Sequence, residues 1–283
     1  MKCGSHKKTN GQNQATMKKH NILFAFAALA VFTGFSSCKR DIALKDPGVP
    51  LSPNSAYLSM IDVAPNLNTV LGVKADTFNI LLNGIKGTGY TSGTSPVMTF
   101  SGIYPLNGTT SGYAEVAAGD QTIKFARGVN TLDSVVFWTF NESLQPKTYY
   151  TLLITDSIKS GQDAARMFLK DNFAPVDSSS YNLRFVNAVL NDTAGVDVWS
   201  ARQATTIFSN VKPGAVVDFT KLNSSWVPDT LFCRRAGTKV GLDTLLTQNF
   251  YGLRTYTLVY KGNAFSTVKT DTKRRHLITY INR

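Results

Sequence analysis

Histidine, cysteine and glutamate are nearly absent from this 283-residue chain, which carries only three, three and two of them. Beyond residue 38 only His276 and Cys233 are left of the first two, so a typical His/Cys zinc ligand set cannot be filled, and no metal or cofactor is expected. A lone cysteine makes no intramolecular disulfide. Cys233, in Thr230-Leu231-Phe232-Cys233, reads as a small buried hydrophobe. His276 follows three basic residues and has no carboxylate near it in sequence, so it reads as a strand-edge residue and not as the base of a Ser-His-Asp triad. Glycoside cleavage needs two facing acids. The two glutamates do not offer a pair: Glu142 sits in Asn141-Glu142-Ser143, read as a turn between strands, and Glu115 flanks a strand, so both are expected at the surface. Asp192, in Asn191-Asp192-Thr193-Ala194-Gly195, lacks the acidic spacing of a calcium loop and reads as a turn. No apolar run reaches the roughly 20 residues that a bilayer span requires.

One shorter apolar run is informative. Ile22 to Phe32 is continuously apolar, Lys18-Lys19 precede it and Phe35-Ser36-Ser37-Cys38 close it, the order of a secretory signal. A cysteine directly after two small residues resembles the bacterial lipobox, with Phe35 in the place usually held by leucine. The expectation is an export signal over residues 1–37, lipid attachment at Cys38 and membrane association through that lipid. Met17, directly before the lysine pair, is an alternative start to Met1. Lys39 after Cys38 favours the outer membrane, on its periplasmic or its outer face.

Removing the five lysines of this leader takes the formal charge from +12 to +7. The remaining surplus lies in Arg234-Arg235 and Lys273-Arg274-Arg275, short runs with apolar neighbours. A nucleic-acid surface needs a broader basic face, so no nucleic-acid partner is expected. These runs read as solvated strand edges, where positive charge resists edge-to-edge pairing, or as a weak attraction to an anionic polymer or lipid.

Residues 38–54 carry Pro47, Gly48, Pro50 and Pro53 and read as a flexible tether. From Ser55 onward, short runs rich in Val, Ile, Phe, Tyr and Thr alternate with Gly, Asn, Asp, Pro and Ser, a pattern that predicts an all-β protein. Several runs recur in one order. Leu58 to Val63 matches Leu183 to Ala188, Phe78-Asn79-Ile80 matches Val196-Asp197-Val198, and Tyr149 to Ile154 matches Thr255 to Tyr260. Late in each copy, Arg166 to Leu169 matches His276 to Thr279. A duplication follows, with one domain over 55–174, a Pro- and Ser-containing linker from Phe173 to Ser180, and a second domain over 181–283. Each is expected to be an immunoglobulin-like antiparallel β-sandwich. The first copy is longer because of Gly84 to Gly112, rich in Gly, Ser and Thr, and this insertion is the first expected binding surface.

The second copy resembles the secreted bacterial domain-of-unknown-function family forty-three ninety-seven in Leu183-Arg184-Phe185-Val186-Asn187-Ala188, Val196-Asp197-Val198-Trp199, Phe208-Ser209-Asn210-Val211 and Tyr256-Thr257-Leu258-Val259. The first copy fits more loosely, with Met60-Ile61-Asp62 and Asp76 to Ile80 in the corresponding places. The resemblance implies an envelope-attached sandwich and supplies no catalytic residue.

Aromatic side chains are the remaining lead. Trp138 shares a strand face with Val136 and Phe140 and is expected in the core, and Trp199 is expected to be partly buried. Trp226 lies in the polar loop Asn223 to Pro228, and Tyr90, Tyr104 and Tyr113 lie in or beside the insertion, so these four are the candidate ligand contacts. The expected function is non-enzymatic adhesion or ligand binding, to a glycan or an envelope protein. The alternative is an accessory subunit of an uptake or secretion complex, and a hydrolase is the least favoured class.

Overall fold

The structure is a computed structural model that describes residues 53–67, 77–88, 97–105, 112–127, 135–155 and 165–283. The leader, Cys38, most of the tether and parts of the insertion lie outside the described residues. The protein is all-β. The first copy contains β1 (Ser55–Asp62), β2 (Thr77–Leu82), β3 (Ile85–Lys86), β4 (Met98–Thr99), β5 (Ile103–Tyr104), β6 (Ala114–Ala117), β7 (Gly119–Ala126), β8 (Val136–Leu144), β9 (Tyr149–Ile154) and β10 (Arg166–Asp171). The second contains β11 (Ser180–Asn187), β12 (Val196–Ser200), β13 (Thr205–Val211), β14 (Val216–Asn223), β15 (Asp229–Arg235), β16 (Gly241–Gln248), β17 (Thr255–Lys261) and β18 (His276–Ile281).

Each copy is a sandwich of two sheets. The first pairs β10-β9-β1, extended by β5 and β6, with β3-β2-β7-β8, extended by β4. The second pairs β14-β11-β17-β18 with β13-β12-β15-β16. Among the described residues all strand pairings are antiparallel except two: β1 runs parallel to β9, and β11 parallel to β17. The repeat is visible in register. Leu58 faces Tyr150 across the first parallel pair and Leu183 faces Tyr256 across the second, as the sequence match requires. Tyr150 and Tyr256 each accept a hydrogen bond from the backbone N–H five residues upstream, at Gln145 and Tyr251 (both 3.0 Å), so one corner closes both sandwiches. A turn is duplicated too: Ser101 N–H donates to Asp62 C=O and Gly214 N–H to Asn187 C=O, and both residues hold positive φ (69° and 77°). Glycine adopts that conformation freely, whereas Ser101 is a non-glycine residue held there by its surroundings.

The late strands correct the sequence match by one residue. Arg166 faces Ile154, whereas Leu277 and not His276 faces the equivalent Tyr260. The correct register makes Asp171 the counterpart of Asn282. A one-residue slip inverts the faces of a strand, and the match missed it because both strands mix polar and apolar residues on each face.

Within each sandwich, inward side chains form a core, including Met60, Phe78, Phe125, Trp138 and Leu152 in the first and Phe185, Val198, Phe208, Leu231 and Leu258 in the second. A third cluster joins the copies. Ile61, Val63, Leu153, Val186, Ala188 and Val259 pack together from the opposite faces of β1, β9, β11 and β17. These strands are therefore buried on both faces, and residues 46–283 form one compact unit. The two domains read from the sequence are two sandwiches that share this contact.

Polar groups are enclosed in the same contact. Arg184 Nη1 donates to Asp171 Oδ1, joining two side chains that are 1% and 0% exposed. Asp171 Oδ2 also accepts from Thr151 Oγ1 (2.5 Å) and Tyr113 Oη (2.6 Å). Arg184 Nε and Nη2 donate to Thr257 Oγ1, Thr257 donates to Asn282 Oδ1 and Asn282 Nδ2 donates to Tyr113 Oη (2.9 Å). The ring of partners closes on itself and draws on both copies. At the other end of the contact, Lys261 Nζ donates to Ser101 Oγ (2.6 Å) and lies 4.0 Å from the centre of the Phe100 ring. Residues Met98 to Tyr104 thus correct the expectation for the insertion: this part clasps the second sandwich.

Two predictions follow from the enclosed charges. Removing one partner of a buried ion pair strands the other, at a cost of about 3–5 kcal/mol. Asp171→Ala should lower the unfolding free energy by that order in urea titration, and the double variant Asp171→Leu/Arg184→Met should lose less than the single one. Burial lowers the pKa of Lys261 from 10.5 to about 8, against the pull of Asp62 and Asp243. Above pH 8 the unfolded chain therefore binds the extra proton, and the contribution of Lys261 to stability rises with pH. Cys233, Tyr113 and Tyr280, whose pKa values burial raises, act in the opposite direction above their ordinary values of 9.0 and 10.0, because they keep protons that the unfolded chain loses. Urea titrations from pH 8 to 10 should show the stability of the parent rising with pH relative to that of Lys261→Met, in which the opposing groups are the same.

Candidate interaction surface

The sequence-chosen candidates fall in unlike places. Cys38 and Tyr90 lie outside the described residues. Tyr104 is half-buried on β5, packed against the first core, with its ring over Gly87, where an added Cβ would come within 3.1 Å of the hydroxyl. Tyr113 is committed to the enclosed network. Burial and then the negative charge of Asp171 hold its phenol well above the ordinary tyrosine range, as a donor. Trp226 alone of the described candidates stands in solvent, 89% exposed.

The groups weighed for chemistry are held in structural contacts. Cys233 is buried on β15, and burial pushes its thiol up, away from the reactive thiolate. Glu142 lies within β8, not in a turn, and its Oε1 accepts from Arg166 at 2.9 and 3.0 Å. Glu115 is exposed on β6. His276 does have a carboxylate beside it: Nδ1 lies 2.9 Å from Asp243 Oδ2, without the alignment of a hydrogen bond. Asp243 comes from the neighbouring sheet, a proximity that sequence distance concealed. It accepts the Leu277 N–H at 2.7 Å and lies 3.4 Å from Arg274. Burial pushes the Asp243 carboxyl up, but the adjacent His276 imidazole and the Leu277 N–H outweigh it and hold the pKa below the ordinary value.

Asp192 plays a similar part. It caps its own turn through the Thr193 N–H and receives Arg235 at 2.8 Å, with Arg275 at 3.6 Å. The basic runs are thus partly built into the fold, and Arg234 lies 4.3 Å above the half-buried Trp199. Among the described residues no group of three His, Cys, Asp or Glu side chains is arranged to hold a metal ion.

Apart from Leu246 on β16, the large exposed apolar side chains of the second sandwich gather at its two ends. At one end Trp226 and Val227, between β14 and β15, stand beside Tyr251, between β16 and β17, with 6.1 Å between the Trp226 and Tyr251 ring centres. At the other end Val240, Phe265 and Val268 project from the β15–β16 and β17–β18 connections, near Lys239 and Lys269. Both clusters sit on loops whose bases are pinned. Asp229, buried, accepts from Ser200 Oγ (2.5 Å) and the Arg202 N–H (2.9 Å) under the first. The Arg235, Arg274 and Arg275 pairings lie at the base of the second.

No family model matches the chain, and no curated protein matches it. Among solved structures, a leucine-rich repeat protein from Bacteroides thetaiotaomicron is similar at 11% identity, over 70% of this chain and 24% of that one, with a TM-score of 0.17. This chain therefore spans about a quarter of that protein. A candidate cell adhesion protein from Parabacteroides distasonis is similar at 8% identity, over 81% of this chain and 100% of that one, with a TM-score of 0.18. A candidate adhesin from Bacteroides ovatus is similar at 9% identity, over 73% and 89% of the two chains, with a TM-score of 0.17. At these scores the likenesses carry no argument about this chain.

Proposed function

We propose that this chain is a non-enzymatic lipoprotein of the cell envelope, fastened through Cys38 to the outer membrane, whose joined sandwiches present loop tips as an adhesion or ligand-binding module. The ligand class is a glycan or an envelope protein. One observation carries the reading: apart from Leu246 on β16, the large exposed apolar side chains of the second sandwich lie on braced loops at its ends, while His276, Cys233 and Glu142 are engaged in structural contacts. Rigid loops offer contact area without an ordering cost on binding. Their aromatic and aliphatic tips suit a sugar face or an apolar pocket on a protein. The order of charged, apolar and small residues that ends at Cys38 supports attachment.

The test is retention of the full protein, purified from membranes, on glycan and envelope-protein arrays. Binding of one ligand class is expected, and Phe265→Ala/Val268→Ala should weaken it by about tenfold, the effect of losing an interface anchor. A clean protein retained by neither array contradicts the reading, and a stoichiometric co-purifying partner favours an accessory subunit instead.

A further inference from the structure

The topology distinguishes the two ends of the molecule. Asn54 and Ser55, where the described chain begins, are tied by their carbonyls to the Ala118 and Lys147 N–H groups. Asp171, at the same end of the first sandwich by its pairing with Tyr149, meets Arg184 in the middle of β11, and its partner Tyr113 meets Asn282, which is bonded to Thr255 at the start of β17. At the far end Ser101, beside Asp62, meets Lys261 at the end of β17. The starting ends of β1 and β11 therefore lie together. The Trp226 and Tyr251 loops belong to that end, because Ser224 N–H donates to Ser179 C=O (2.8 Å) and Leu253 N–H to Ser180 C=O (2.9 Å). The loop with Phe265 and Val268 lies at the opposite end.

The Trp226 loop is an addition that the fold does not need. In the first sandwich β6 passes to β7 through Ala118 alone, whereas the equivalent β14 and β15 are joined by residues 224–228. Gln145 stands in the first copy where the second has Tyr251, each donating its N–H to the corner tyrosine. The added tip is apolar, with Trp226, Val227 and Pro228 all exposed and Tyr251 47% exposed. It is also stiff. Ser224 Oγ donates to Ser178 C=O (3.0 Å), the Val227 N–H donates to Ser225 Oγ (3.0 Å), and Gly252 approaches Ser178 so closely that a Cβ would lie 2.1 Å from its carbonyl oxygen. Exposed Lys221 and Arg254 flank the tip, the first 3.4 Å from the exposed Asp177, and half-buried Arg202 donates to Asn223 C=O and lies 3.9 Å from the buried Asp229. Indole and phenol rings beside cations are the side chains that settle at the boundary between lipid headgroups and acyl chains.

We propose that Trp226, Val227, Pro228 and Tyr251 form a lipid-facing foot that seats the joined sandwiches on an anionic phospholipid surface, with the Phe265 loop turned away from it. The proposal rests on the reading of Cys38 as the lipid anchor, since the foot lies at the end by which the chain enters the fold. Charge complementarity comes from the exposed Arg254 and Lys221 facing lipid phosphates, against the exposed Asp177. The seat also leaves the opposite loops free for the ligand.

The test uses the full protein in vesicles of phosphatidylethanolamine and phosphatidylglycerol with brominated acyl chains, in a Trp199→Phe background, where Trp138 is buried in the first core. Trp226 emission is expected to shift to the blue and lose intensity to the brominated lipid. In a Trp226→Phe/Phe265→Trp chain the reporter at 265 is expected to stay unquenched. Quenching at 265 and not at 226, or at neither with Cys38 acylated, overturns the foot. Mass spectrometry of the N-terminal peptide reads the anchor separately. If Cys38 is unmodified the anchor reading fails, and quenching of Trp226 on mixing protein with vesicles still decides the foot.

Discussion

The face-to-face contact between the β1–β9 sheet and the β11–β17 sheet is the constraint on which the rest of the structure depends. Two sandwiches on a linker would ordinarily move against each other. Here the contact is apolar at its centre and encloses a complete ion pair, and each feature limits the other. Asp171 and Arg184 lie in different sandwiches, so separating the sheets would part the two charges as well as expose Ile61, Leu153, Val186 and Val259. A shift of register would leave carboxylate or guanidinium without its partners, which is costly in a dry setting. The fixed contact places the Trp226 loop beside the entry of the chain and the Phe265 loop at the far end.

The duplication supplied the contact with two like faces, and its polar part works because the copies diverged. Arg184 occupies the position of Ser59, Asn282 that of Asp171, and Phe219 that of Tyr113. Two arginines or two aspartates at these places would repel across the contact; one of each, with an amide and a phenol completing the ring, leaves the charged pair satisfied. Phe219 contributes its ring face to the Arg184 guanidinium, at 4.5 Å, where Tyr113 offers a hydroxyl to Asp171. The first copy gained the Ser101 clasp from its insertion, and the second gained the Trp226 tip from a lengthened hairpin.

Much of the fold was legible because strand texture and repeated runs are local signals. The matched motifs around Leu58 and Leu183, and Tyr150 and Tyr256, give the observed pairing register to the residue. The contact between the copies was not read, although it left a trace. Leu183 to Ala188 is apolar on both faces apart from Arg184 and Asn187, the mark of a strand covered on both sides. Arg184 passed as a strand residue because its partner, Asp171, lies in the other copy. The same distance hid Asp243 from His276, on different strands of the second copy. Of the candidate ligand contacts, composition correctly singled out Trp226 as a loop aromatic, but it could not separate Tyr113, whose hydroxyl turns inward, from a residue facing solvent.

Function on this scaffold depends on what the contact holds still. Loops at both ends are braced by buried carboxylates, Asp229 at one and Asp192 and Asp243 at the other, so their apolar tips keep fixed positions relative to the chain entry. The central claim is that the sandwiches fold as one unit through the enclosed Asp171–Arg184 contact. Differential scanning calorimetry of the protein tests it most directly. A single transition whose calorimetric and van't Hoff enthalpies agree is expected. Two resolved transitions, each with the enthalpy of one sandwich, would contradict it.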